Sequence, residues 1–176
     1  MPLNSVQQYV HSIVNNLTIP SLTSPLTAYI TPPMVEELDG PRVYVWGGRL
    51  RGRRQTAPRG IGSGAGFKRL DWVIDTYVSY LTTPDSANID EQFPQVVDAI
   101  MAATWAVQMP LIIDGQGQRI PTGMGATQTL PPGASQILSI GEDFELEYPP
   151  ERSPATQRML YYTCRIGLDV VEAVQA

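Results

Sequence analysis

The sequence predicts an α+β fold, a mostly antiparallel sheet with two amphipathic helices packed on one face and a long basic β-arm or loop. Three observations predict it. Two stretches, near residues 5–17 and 90–107, repeat apolar residues at helical spacing; three others, near 70–80, 143–148 and 160–170, alternate apolar and polar positions; and a Gly/Arg-rich run over 47–66 fits neither pattern. A sheet apolar on one side must have that side covered, and the two helices are the elements able to cover it, so both belong on one face.

Each element has its own signature. Ser5-Val6-Gln7-Gln8 reads as a capping box, and Val6, Val10, Ile13, Val14 and Leu17 continue it as a helical stripe, giving a first helix over about 5–17. Thr27 to Thr31 has strand propensity and Pro32-Pro33 closes it; Val35 to Leu38 offers at most one helical turn before Gly40-Pro41. Arg42 to Trp46 is β-branched and aromatic, and beyond the basic run Leu70, Trp72, Ile74, Val78 and Tyr80 share one face of a long strand, so the two strands form a hairpin with the arm at its tip. Asp90 is placed as the N-cap of the second helix, Pro94 falls in its first turn, and Phe93, Val96, Val97, Ile100, Met101, Thr104 and Val107 repeat at helical intervals. Leu111 to Ile113 reads as a short strand, followed by the Asp114-Gly115 turn and a long loop to Gly133. In the segment from Asp143 to Tyr148, Phe144, Leu146 and Tyr148 take one face and Asp143, Glu145 and Glu147 the other. Leu160, Tyr162, Cys164, Ile166, Leu168 and Val170 alternate in turn, which closes a C-terminal antiparallel hairpin.

Residues 1–176 are of a size for one domain, with 43% hydrophobic and 16% charged residues. Such a chain buries roughly 70% of its unfolded surface, so its stability calls for neither disulfides nor a structural metal. One Cys and one His give no zinc spacing, and no apolar stretch reaches membrane-spanning length, so we expect no metal, no membrane segment and no signal peptide. Charge is segregated: Arg42 to Arg69 holds eight of the twelve basic residues and no acid, whereas the remainder has four basic against seventeen acidic residues. Within it, residues 47–66 contain seven glycines and five arginines, too little apolar surface for a core of their own.

The chemistry-bearing residues do not form a catalytic pattern, and neither a catalytic residue nor a cofactor site is expected. His11 lies beside an apolar helical stripe, with no G-x-S-x-G elbow in the chain. Cys164 falls on the apolar face of the last strand, where a thiol is a small hydrophobe with a raised pKa. Asp71 and Asp75 are about 13 Å apart along one strand, too far for a glycosidase pair, and read as solvated. Asp143, Glu145 and Glu147 stand about 7 Å from one another along one face and read as an exposed acidic surface. Gly60 to Gly66 lacks the Gly-Lys-Ser/Thr ending of a phosphate loop.

The helix at Ser5 to Leu17, the strands around Pro41 to Val45 and Asp71 to Leu81, the helix Phe93 to Val107 and the closing strand Tyr161 to Glu172 follow one another in a characteristic order. In this layout the chain resembles the tail terminator proteins of long-tailed, siphovirus-type bacteriophages. The basic arm and the Gly/Pro-rich region from Asp114 to Gly133 are both longer than that pattern expects. The resemblance implies a virion protein of the tail–neck junction, assembled in the host cytoplasm as a ring of six copies. Such a ring caps the tail tube protein, ends tube polymerisation and joins the tail to a head–neck connector or stopper protein, with DNA passing through the lumen without specific binding.

On that implication the arm, with Arg49, Arg51, Arg53, Arg54, Arg59 and Lys68, contacts a neighbouring subunit or the tube, and Asp143, Glu145 and Glu147 are candidates for an acidic luminal face that repels the phosphate backbone. A head-closure or adaptor protein of the same neck is the nearest alternative, expected to be mainly β-barrel or mainly helical. A nucleic-acid-binding module using the Arg/Gly arm is the next.

Overall fold

A computed structural model describes residues 2–31, 40–51, 67–82, 89–108, 111–121, 133–147 and 160–175. The chain is α+β, two helices against a mixed, mostly antiparallel open sheet, in the order α1 (Pro2–Val14), β1 (Thr27–Tyr29), β2 (Gly40–Arg51), β3 (Phe67–Thr82), α2 (Ile89–Trp105), β4 (Leu111–Ile113), β5 (Arg119–Ile120), β6 (Ser135–Glu147) and β7 (Leu160–Gln175). The strands form one sheet in the order β1-β2-β3-β7-β6-β4-β5, and the β1–β2 pair is parallel while the rest are antiparallel.

Helix α1 begins three residues before the expected capping box and ends three residues before Leu17. Pro2 opens it, at a position where the missing N–H costs no helical bond. Ser5 is therefore inside the first turns and does not cap: its hydroxyl donates to the carbonyl of Gly115, 3.0 Å away across 110 residues of chain. The helix stops because Asn16 adopts a left-handed backbone (φ 68°), and its N–H bonds the Leu26 carbonyl at 2.8 Å.

Helix α2 carries the expected apolar face, with Phe93, Val96, Val97, Ile100, Met101 and Thr104 all buried. Asp90 lies within the helix and not at its cap, so Pro94 falls in the second turn and withholds the N–H that the Asp90 carbonyl would otherwise accept.

Val6, Val10 and Val14 of α1 join that face of α2 over Val43 and Val45 of β2, Ile74 and Val78 of β3, Cys164, Ile166, Leu168 and Val170 of β7, and Ile137 and Ile140 of β6, in one continuous core. Both helices thus pack on one sheet face.

The hairpin β2–β3 forms as expected, but β2 runs five residues into the Gly/Arg segment. Gly47 pairs with Ile74, Leu50 with Trp72 and Arg51 with Asp71, and Gly48 and Arg49 form the irregularity between them. The first five residues of the expected arm are thus strand, and residues 52–66, with Arg53, Arg54 and Arg59, lie outside the described residues, as do Val35 to Leu38, Tyr148 and most of the stretch before Gly133.

Strand β6 starts at Ser135, eight residues earlier than Asp143. Register shifts after Ile137 and after Ile140, with Gly141 at φ 68°, space the buried Ile137 and Ile140 three apart, so the period of two is broken there. The β4–β5 turn docks on α1: Asp114 accepts the N–H groups of Gln116 and Gln118 through Oδ1, each at 2.8 Å, and Gly117 (φ 75°) sits where a Cβ would lie 2.5 Å from the Ser5 carbonyl oxygen.

Candidate functional site

Gln7 and His11 of α1, with Asn15 just past its end, stand one turn apart and bond the edge of the sheet. Gln7 Nε2 donates to the Val45 carbonyl at 2.8 Å, His11 Nε2 lies 2.9 Å from the Ala28 carbonyl, and Asn15 Oδ1 accepts the Ala28 N–H at 3.1 Å. They satisfy backbone groups along β1 and the adjoining part of β2. His11 is thereby a structural donor. Cys164, buried under both helices, has its thiol pushed up to about 11 by desolvation, the opposite of nucleophile activation.

The helix-free face of the sheet holds the most organised polar group. Asp75 is 5% exposed, which corrects the expectation of a solvated strand carboxylate. Its Oδ1 accepts from Arg165 Nε at 3.0 Å and from Nη2 at 2.7 Å. The far side of the same guanidinium lies 3.9 Å from Glu145 Oε2. Register explains the arrangement: Asp75, Gly167 and Glu145 form one row across β3, β7 and β6, and Arg165 is two residues from Gly167 on the same face. A Cβ at position 167 would stand 3.6 Å from Asp75 Oδ1 and 3.5 Å from Glu145 Cβ, so the glycine keeps the middle of the row flat. Beside this group Tyr44 and Tyr77 stack with ring centroids 6.2 Å apart, and burial together with the neighbouring phenol raises the Tyr44 pKa. Hydrogen bonds here run between protein groups, and the arrangement fixes a surface.

The acidic candidates divide. Glu145 is exposed and leans toward Arg165; Glu147 pairs with Arg165 in register; Asp143 belongs to the irregular segment between Ile140 and Phe144 and so leaves the strict alternation expected of the three. Of the basic candidates, Arg49 sits at the β2 irregularity, Arg51 ends β2 opposite Asp71, and Lys68 lies near the start of β3, paired with Val174. Among the described residues Arg49 and Arg51 thus lie on β2 and the acidic candidates on β6, with β3 and β7 between them. The sequence reading took Asp75 for a solvated residue and did not single out Arg165; the signal for the pair was an arginine on the polar face of β7, two residues before a glycine on the same face.

Trp105, 57% exposed at the end of α2, donates Nε1–H to the Gly141 carbonyl at 3.2 Å and lies against the bend of β6. Leu146, which the alternation assigned to a buried face, is 40% exposed further along β6. Among the described residues no group of three or more His, Cys, Asp or Glu is placed to hold a metal ion, and no helix is long and apolar enough to cross a membrane. The chain matches no protein-family model and no curated protein.

Proposed function

We propose that the chain is a structural virion protein of the tail terminator kind. Copies close into a ring of six that caps a phage tail tube, ends its polymerisation and presents a surface to the neck connector. The observation that carries this reading is the element order: a helix, a β-hairpin, a second helix and a closing hairpin, with both helices on one face of a single sheet. The mixed α+β composition favours it over a head-closure or adaptor protein, for which a barrel or a helical body is expected. Segregated charge supports assembly by contact between unlike surfaces, and a head-to-tail interface whose rotation closes yields a finite ring. The activity is assembly, with no catalytic residue, cofactor or metal.

The test is the mass of the purified protein together with images of its assemblies, with and without tail tubes. Six-fold rings that arrest tube growth are the expected result, and a dilution-stable monomer with no effect on tube length refutes the reading. Deleting Gly48 to Gly64 tests the arm: if rings and capping both survive, its contact role is wrong. The nucleic-acid alternative predicts DNA affinity that falls steeply with salt and weakens when Arg49, Arg51, Arg53, Arg54 and Arg59 are replaced.

A further inference from the structure

The sheet has two open edge segments among the described residues, and they are complementary. On one side β1 covers only Arg42 to Tyr44 of β2, and Gln7 occupies the Val45 carbonyl, which leaves Trp46 to Arg51. On the other, β4 covers only Ser135 to Ile137 of β6, and Trp105 occupies the Gly141 carbonyl, which leaves Glu142 to Glu147. The first segment carries Arg49 and Arg51 and no acid; the second carries Glu142, Asp143, Glu145 and Glu147 and no base.

Register puts the two segments at the same height on the sheet. Trp46 pairs with Asp75, Asp75 with Gly167, and Gly167 with Glu145, so positions 46 and 145 are the two ends of one row. Three successive antiparallel pairings separate β2 from β6, so the two strands run in opposite directions, and identical copies set side by side bring β2 of one against β6 of the next as an antiparallel pair. The steps at the edges interlock as well. β1 lies at the height of Tyr77 to Ser79, where β6 ends, and β4 lies at the height of Lys68 to Leu70, just past the end of β2 at Arg51.

We infer that a second copy of this chain occupies each edge: Trp46 to Arg49 of one subunit pairs, antiparallel, with Glu145 back to Glu142 of the next, extending one sheet through the assembly. Like edges repel, base on base or acid on acid, so the pairing is heterologous and repeats around a ring. The irregularities at Gly48-Arg49 and in Gly141 to Asp143, with the edge charges, guard against indiscriminate pairing while admitting the edge of opposite sign. This inference rests on the ring reading and names the surface through which the ring closes.

The test is a paired substitution, Trp46→Cys with Glu145→Cys. Within one subunit these positions are three strand spacings, about 14 Å, apart, whereas a disulfide needs Cα atoms within about 7 Å, so a bond between them has to join two copies. Mild oxidation is expected to give a ladder of linked subunits ending at the closed ring, with either single substitution remaining unlinked. Because the variant can fail to fold, amide exchange of the unaltered chain provides a second measurement: residues 46–49 and 142–145 are expected to exchange about tenfold more slowly in the assembly than in the free subunit. Rings that form with neither cross-link nor slowed exchange overturn the edge pairing and leave the ring reading standing. A chain that stays monomeric at all concentrations and at tube ends overturns both.

Discussion

Replacing Arg165 by Met keeps most of the side-chain volume and removes the guanidinium from Asp75. The carboxylate left behind is 5% exposed and loses two charge-assisted hydrogen bonds, of 3.0 and 2.7 Å. Stranding one member of a buried ion pair costs about 3–5 kcal/mol. Glu145→Gln removes the other carboxylate, but that contact is 3.9 Å long and the Glu145 side chain is 71% exposed, so its cost stays below about 1 kcal/mol. The double replacement Asp75→Leu with Arg165→Met removes both buried charges together and is expected to recover much of the loss, because no unpaired buried charge remains. Urea unfolding followed by tryptophan fluorescence, at one fixed subunit concentration, reads all three variants and the coupling between positions 75 and 165. If Arg165→Met costs no more than Glu145→Gln, the assignment of Asp75 and Arg165 as the pair that holds the helix-free face together is wrong.

Gly117→Ala meets both a left-handed backbone and the Ser5 carbonyl, and is expected to cost about 2–4 kcal/mol in thermal or urea unfolding; Gly133→Ala, equally left-handed but with open space at its Cβ, costs about 1–2 kcal/mol. Ile100→Ala, a fully buried α2 side chain, lowers stability by about 2–5 kcal/mol, read as a shifted urea midpoint with unchanged slope. Because burial raises the Cys164 thiol to about 11 from the model-peptide range, the folded state favours the neutral form; the stability this contributes is present below pH 9 and lost as pH rises toward 11, and the Cys164→Ala variant lacks that part of the alkaline decline in unfolding free energy. At pH 8 alkylation of Cys164 is expected to proceed only as fast as the fold opens, and rapid labelling of native protein contradicts its burial.

Periodicity alone carried α2, β3 and β7: Phe93 to Thr104 and Cys164 to Val170 repeat regularly because each packs one uninterrupted face, and a regular face writes a regular pattern into the chain. The first part of β6 was illegible for the converse reason, since its irregularities put Ile137 and Ile140 out of step with a strand. Ser5 has the local form of a cap, yet its hydroxyl is drawn to Gly115, a partner that local sequence cannot announce. The charge segregation between the arm and the rest of the chain, the buried character of Cys164 and the pairing of two amphipathic helices with one sheet were properties of the sequence by itself, because each depends on composition or on neighbours a few residues away. Which strands stand side by side, that Asp75 is buried against Arg165 90 residues onward, and that Trp46 and Glu145 end the same row on opposite edges were decided only by tertiary structure, because strand order and register are set by contacts between distant segments.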